Sequence, residues 1–411
     1  MLSTTLNLLK NHGGLIAICF ALLFFSVFGQ SLFFGLYLPD IQESLGLTKT
    51  KMGSIYAVAT ICSSIIVLYT GRKLDVWPLR NFVTFTLVGL AIGCFTMSFS
   101  TNAVMLFAAF LILRHFGQGL MSISSNATIN RYLNENRGKA TAITGLGAPL
   151  QIVVFPFIVY FLDDYLEWHT AWMVYGFFVL CVLLPAFWVF LKTHQKTTHA
   201  RWAADIKKDG DQKNDKAQKH WTAAEVLRDW RIYAIIAIMM IAPFAGTVIF
   251  FYQADVAASL GITVVGFATS YIFLTVSKII FGITAGEIID KYGERPALII
   301  YPIFYALGLF FLINGQNIII LYLAMSVIGI ASGFMATIGG PLLAQMYGTK
   351  HLSSVKSILF SSAIVASALS PFLFGYFMDR GVSILTLFSF VIAYSAVIWV
   401  LALPITSKKC N

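Results

Sequence analysis

Twelve apolar runs, each of bilayer-spanning length, fall along the chain. They lie at 14–38, 52–71, 80–100, 102–130, 140–162, 170–192, 231–256, 264–289, 296–315, 317–345, 356–378 and 382–405. About 20 apolar residues of helix cross a hydrocarbon core, so these runs predict an all-α membrane protein with twelve transmembrane helices. Composition agrees: 58% of residues are hydrophobic and 11% charged, where a soluble chain carries about a quarter charged. The formal charge of +10 excludes nothing until its distribution is read. Arg72, Lys73, Arg80, Arg131, Arg137, Lys139, Lys291, Arg295, Lys408 and Lys409 fall in loops or tails on one side, whereas Asp163, Asp164 and Glu167 fall on the other. That is the positive-inside pattern. It reports topology and not a nucleic-acid partner. It predicts a multi-pass protein of the cell (inner) membrane with both termini cytoplasmic. The first run, from Gly13 onward, lacks a small-residue cleavage site and reads as a retained span. Cys19, Cys62, Cys94, Cys181 and Cys410 show no metal or disulfide spacing.

The chain divides into an N-terminal six-helix bundle (1–192), a cytoplasmic linker (193–230) and a C-terminal six-helix bundle (231–411). The linker is rich in Lys, Asp, Gln and His, which predicts mobility at Asp205–Lys219. Its last part, TAAEVLRDWRIY, opens on Thr222 with Glu225 three residues later. That spacing predicts a short capped interfacial helix. The two bundles are a repeat with one offset of 215 residues. Tyr37 and Asp40 recur as Tyr252 and Asp255, Tyr56 and Thr60 as Tyr271 and Thr275, and Gly71 and Asp75 as Gly286 and Asp290. Two pseudo-symmetric, parallel six-helix halves form an architecture in which a solute binds between the halves.

Two cations break the apolar pattern. Lys278 lies twelve residues before Asp290 in YIFLTVSKIIFGITAGEIIDKYGERPAL, about 18 Å up the helix at 1.5 Å per residue. Arg114 lies twelve residues past Asn102 in the fourth run, again about 18 Å. Both fall near the middle of a core roughly 30 Å thick. An ammonium or guanidinium there costs on the order of 2.5–3.5 kcal/mol to insert and so faces a cavity or a partner. The repeat places Gly329 opposite Arg114 and Ser63 opposite Lys278, so the scaffold requires neither cation. No Asp or Glu lies at comparable depth. Two uncompensated cations therefore favour an anionic ligand; for Arg114 the alternative is a tie to backbone carbonyls of a neighbouring helix. His115 points about 100° away from Arg114 and reads as structural. Gln30, Gln151 and Gln253, with Tyr37, Tyr56, Tyr252 and Tyr271, are the candidate cavity residues. Interhelical bonds for the glutamines and an interfacial belt for the tyrosines are the alternatives.

The charged turn Gly286, Asp290, Lys291, Gly293 and Arg295 resembles the loop signature of the major facilitator superfamily, G-x-x-x-D-(R/K)-x-G-x-(R/K). Gly71, Asp75 and Arg80 are a partial copy, with Val76 and Pro78 in place of a base and a glycine. The resemblance implies a cytoplasmic latch, with Asp75 engaging the Arg131/Arg137 region and Asp290 the start of the helix at Lys356. Arg114, with Gly117 and Gly119, is similar to the family's fourth-helix arginine motif. FGQSLFFGLYLPDI, RGKATAI and TAAEVLRDWRIYAI, with Lys278 four residues before Gly282, resemble the monocarboxylate-porter and oxalate/formate-antiporter group. In that group a basic residue of the eighth helix holds the substrate carboxylate. This chain departs from the group in having lysine rather than arginine there and Leu274 where animal members carry aspartate.

These readings imply a secondary transporter of a small organic anion, a mono- or dicarboxylate, coupled by proton symport or anion exchange. The expected partners are that anion, protons and the lipid bilayer, with a monomer as the unit and no cofactor or metal. The alternatives are a proton-driven exporter of a drug-like or siderophore-like molecule, and a transporter-like membrane sensor without flux. An enzyme is not expected, because no nucleophile–base–acid set appears.

Overall fold

The computed structural model describes residues 2–133, 137–191, 221–348 and 351–406. The linker segment Asp205–Lys219 lies outside them. The described residues form helices and turns and no strand. Among them, twelve helices are long and apolar enough to cross a membrane: His12–Gly29, Lys49–Thr70, Leu79–Ser98, Ala103–Ile129, Gly138–Asp163, Trp168–Leu191, Trp230–Phe251, Val264–Ile289, Pro296–Ile313, Ile318–Tyr347, Ser354–Met378 and Ile384–Leu401. They are referred to below as the first to twelfth spans.

The first span departs from the continuous helix read over 14–38. Helix Leu2–Phe25 tightens into a 3₁₀ turn at Ser26–Gly29, and Gln30 is extended, with φ −93° and ψ 150°. The chain resumes as Ser31–Leu36 and, after Tyr37, as Leu38–Leu45, with Pro39 in its first turn. Apolar periodicity reads straight through such a break, because the residues around it are buried or half-buried. Gly29 makes the break fit. A Cβ there would lie 2.3 Å from the Leu113 carbonyl oxygen and 2.5 Å from the Gln118 amide nitrogen.

The repeat is visible in the backbone. Leu38–Leu45 and Gln253–Leu260 lie 215 residues apart, and each ends on a left-handed glycine, Gly46 at φ 58° and Gly261 at φ 67°. Leu79–Ser98 and Glu294–Ile313 obey the same offset. Asn102 and Asn317 each cap the helix that follows, accepting from the amides of Val104 and Met105, and of Ile319.

The chain forms two compact units. Met1–Leu47 joins Val58–Asn214 in the first, and Thr48–Ala57 joins Asp215–Asn411 in the second. In the first unit, the third span packs on the fourth and sixth, and the first span packs on the fourth and fifth. The Ser125 hydroxyl donates to the Cys19 carbonyl at 2.8 Å. Phe28, Phe33, Trp172 and Tyr175 form an aromatic cluster, edge-to-face except for the tilted Phe28–Tyr175 pair.

In the second unit, the eighth and ninth spans pack on the tenth, and the seventh packs on the eleventh. The eighth–tenth crossing is close because Gly329 and Gly333 have no side chains. A Cβ on Gly329 would meet the Leu274 carbonyl oxygen at 2.3 Å, and one on Gly333 would meet the Gly282 amide at 2.7 Å. Such contacts let membrane helices approach through small residues. Gly329→Ala is therefore expected to cost about 1–3 kcal/mol, the usual range for overpacking. Gly286→Ala, where nothing lies within 4 Å, serves as the clash-free control and is expected to gain about 0.5–1 kcal/mol from helix propensity. Thermal unfolding of both purified variants in detergent checks this.

At the start of the second unit, Thr222 and Glu225 form a reciprocal capping box on helix Ala223–Val226. The Trp221 amide donates to the Tyr347 carbonyl at 3.0 Å. Val226, Ile232, Leu343, Tyr347 and Val355 close over this junction as a small buried cluster.

Candidate functional site

Each unit places one cation in the middle of a span, and the two are held differently. Arg114 opens a π-helical segment, Arg114–Met121, set between the α-helices Ala103–Leu113 and Ser122–Tyr132. Wide turns of this kind inside α-helices are frequent at functional sites. The Arg114 side chain is 2% exposed. Its Nε donates to Thr60 Oγ1 at 3.1 Å, and its Nη1 donates to the Gly29 carbonyl at 3.2 Å. The guanidinium thus braces the break in the first span, where Gln30 has turned the backbone out of helix. A guanidinium has five donors in a planar fork, so bracing a carbonyl and contacting an anion are compatible tasks.

Lys278 lies in the middle of helix Val264–Tyr292 and is half-buried. Its backbone is pinned, since its carbonyl oxygen would lie 2.8 Å from a Cβ on Gly333. Among the described residues, no hydrogen bond or ion pair engages its ammonium. A half-buried ammonium without a partner in an apolar span is open to an external anion.

The polar candidates divide by unit. In the first, Gln30 is half-buried at the break. Gln151 is 5% exposed, and its Oε1 is buried without a hydrogen-bond partner among the described residues. The Tyr37 and Tyr175 hydroxyls lie 2.7 Å apart. In the second, the Tyr271 hydroxyl donates to Gln253 Oε1 at 2.8 Å. The Tyr252 hydroxyl lies 2.9 Å from the Pro371 carbonyl and 3.2 Å from that of Lys49. Tyr56 is fully buried against Phe251, with ring centroids 4.7 Å apart. None of Tyr37, Tyr56, Tyr252 and Tyr271 is more than 1% exposed, so they are interior side chains and not a surface belt.

Of the loop residues, Arg80 stacks on Trp188 at 5.1 Å and Lys291 on Tyr292 at 5.1 Å. Gly71 lies in the turn that follows the second span, and Gly286 lies inside helix Val264–Tyr292. Gly293, at φ 82°, is the N-cap of helix Glu294–Ile313, a conformation that favours glycine. The side chains of Asp75, Asp290 and Arg295, and those of Arg131 and Arg137, lie outside the described residues. Lys356 is exposed.

A polar cluster that the sequence reading did not single out joins the start of helix Lys49–Thr70 to Asp255 and Asp379, all within the second unit. Asp379 accepts from the Thr50 amide at 2.8 Å, the Thr50 hydroxyl at 2.5 Å and the Lys49 amide at 3.2 Å. The Lys49 ammonium pairs with Asp255. A carboxylate on the first amides of a helix satisfies orphan donors and faces the positive end of the helix dipole. The available signal was a broken repeat. Asp255 and Asp379 have counterparts in Asp40 and Asp164, but Lys49 and Thr50 correspond to Val264 and Val265.

Partial burial alone would push the Asp379 carboxyl up. Hydrogen bonds from the Thr50 hydroxyl and amide, Thr48 and the Lys49 amide outweigh it and hold the group below the usual carboxylate range. A group depressed in the folded state adds stability that is present above its unfolded pKa and lost as pH falls through its folded pKa. Asp379→Ala is accordingly expected to lose about 0.5–2 kcal/mol at neutral pH, the cost of an N-cap. The gap in Tm between wild type and variant should close on acidification through the low folded pKa of Asp379. Thermal scans across pH test this.

The family model described as Major Facilitator Superfamily matches residues 19–276 and again 234–409. The chain belongs to the Major Facilitator Superfamily. It is a membrane transporter and not an enzyme, as the superfamily match indicates. The crystal structure of a D-xylose–proton symporter superposes with TM-score 0.68 at 17% identity, covering 96% of this chain and 97% of that one. The nucleoside transporter NupG superposes with TM-score 0.68 at 15% identity, covering 96% and 99%. At such identities these superfamily members share the fold with this chain. No curated protein matches its sequence.

Proposed function

We propose that this superfamily member carries a small organic anion, a mono- or dicarboxylate, across the cell membrane by alternating access, coupled by proton symport or anion exchange. The observation that carries this reading is Lys278, a half-buried ammonium with neither hydrogen bond nor ion pair among the described residues. An anion supplies the missing charge, and partial desolvation makes that contact stronger than it would be in water. Arg114 supports the reading from the other unit, with the Gly29 carbonyl and Thr60 holding its guanidinium in one place. The loop arginines and lysines support cytoplasmic termini.

A second reading, a neutral polyhydroxylated solute, draws on the D-xylose and nucleoside named for the structural neighbours. Buried Gln151 Oε1, without a partner among the described residues, favours it, because a sugar hydroxyl could donate to it. Reconstituted protein assayed for uptake of labelled L-lactate, formate, oxalate, D-xylose and uridine separates the two. Saturable uptake of a carboxylate, competed by other carboxylates and not by xylose or uridine, is the expected result. Uptake of xylose or uridine alone would replace the anion reading with the second one.

A further inference from the structure

We infer that His115 is the proton-binding group of this transporter and that its proton travels with the carboxylate; this rests on the organic-anion reading above. His115 follows Arg114 on the π segment and is 5% exposed. Its Nε2 lies 3.3 Å from Thr70 Oγ1. That hydroxyl already donates its own hydrogen to the Ile66 carbonyl at 3.0 Å. With that hydrogen on the Ile66 carbonyl the hydroxyl accepts from the ring, which assigns the hydrogen of the neutral imidazole to Nε2. Nδ1 is then the bare lone pair. It is buried and, among the described residues, has no hydrogen bond of normal geometry, while the Ser63 main chain contacts the ring. The atom that would receive a proton is thus defined and unoccupied by any donor among the described residues.

The surroundings say what must accompany that proton. The segment packs against Leu2–Phe25, Ser26–Gly29, Leu79–Ser98, Ala103–Leu113 and Ser122–Tyr132, and through Thr70 against the part of the second span in the same unit. None of these elements contains an aspartate or glutamate. Their charged residues are Lys10, Arg80, Arg114 and Arg131, and their other titratable groups are His12, Cys19, Cys62, Cys94, Tyr69 and Tyr132. Protonation at Nδ1 adds a second positive charge next to Arg114, and no protein carboxylate on these elements offsets it. A bound carboxylate supplies that offset. By linkage, the anion raises the proton affinity of His115 by the same factor as the proton raises the affinity for the anion, typically about 5–150-fold. Anion and proton then load and leave together, and a monocarboxylate crosses without net charge. The proton is taken up at Nδ1 and released from it, and no covalent bond to substrate forms.

The test uses the full chain in liposomes containing a pH-sensitive dye, with L-lactate, formate and oxalate as probes and variants matched for thermal stability. Wild type is expected to show counterflow of a labelled carboxylate at equal pH, and to accumulate it with a matching inward proton signal under an inward proton gradient. His115→Gln keeps a donor for Thr70 and cannot take the proton. It is expected to retain counterflow at saturating carboxylate, with apparent affinity lowered about 5–150-fold, while accumulation and proton signal drop to the level of empty liposomes. Accumulation by His115→Gln at the wild-type level overturns the proposal. So does loss of counterflow even at saturating carboxylate in the stable variant, which would make His115 a substrate or structural residue. Wild-type carboxylate transport without proton movement overturns the proposal and leaves the anion reading standing. Wild-type protein that moves none of the three probes overturns both. If His115→Gln fails to fold, Thr70→Val takes its place. Counterflow should persist with a displaced pH dependence of accumulation, and an unchanged pH dependence overturns the assignment.

Discussion

Lys278→Ser inserts and folds, and loses carboxylate binding by about 2–5 kcal/mol, the range for truncating one partner of a buried charged contact. Two observations separate the effect on binding from the effect on folding. The repeat counterpart of Lys278 is Ser63, so the same position in a homologous span already accommodates a serine. The ammonium has no partner among the described residues, so its removal strands no acceptor. Removing an isolated half-buried charge can even raise stability. Lys278→Arg keeps the charge with altered geometry, and partial activity is the expected outcome. Binding and uptake by reconstituted variants matched for Tm provide the measurement. Normal carboxylate affinity in Lys278→Ser would sink the anion assignment, and loss of folding without a binding defect would make the lysine structural.

Arg114→Leu is expected to behave in the opposite way. Here the cation is engaged by the protein. The Gly29 carbonyl and Thr60 Oγ1 both lose a donor, and each buried group left unsatisfied costs about 1–3 kcal/mol. Thermal unfolding in detergent should show a large drop in Tm. Arg114→Lys should recover part of it, because an ammonium cannot reproduce the planar fork. An unchanged Tm in Arg114→Leu, with only binding lost, would contradict the bracing role and leave the arginine as a ligand contact. Lys278 and Arg114 thus look alike in the sequence as mid-span cations, and their hydrogen-bond partners predict different consequences for losing them.

Much of the fold was legible because it follows from features that a linear pattern records. Span length, apolar content and the 215-residue repeat all survive as residue types at fixed spacing. What escaped depends on torsion angles. The break at Gln30 falls inside an unbroken apolar run, and the π segment at Arg114–Met121 contains ordinary helix-compatible residues. The glycines were readable as close-approach residues, but which backbone each one meets was not. The link from Asp379 to Lys49 and Thr50 joins positions 329 and 330 apart and has no local signal. The clue available in sequence was the failure of the repeat at Val264 and Val265.

The π segment has a consequence for how the two halves came to differ. The fourth and tenth spans keep the same offset from Asn102 and Asn317 at one end to Tyr132 and Tyr347 at the other, with no residue gained or lost. The tenth is α-helical throughout, while the fourth winds more widely from Arg114 to Met121. A wider winding rotates each later side chain away from the direction its counterpart takes, so paired positions in the two halves point differently despite an ungapped match. Matched residues of the two halves can therefore carry separate chemistry although span length is unchanged.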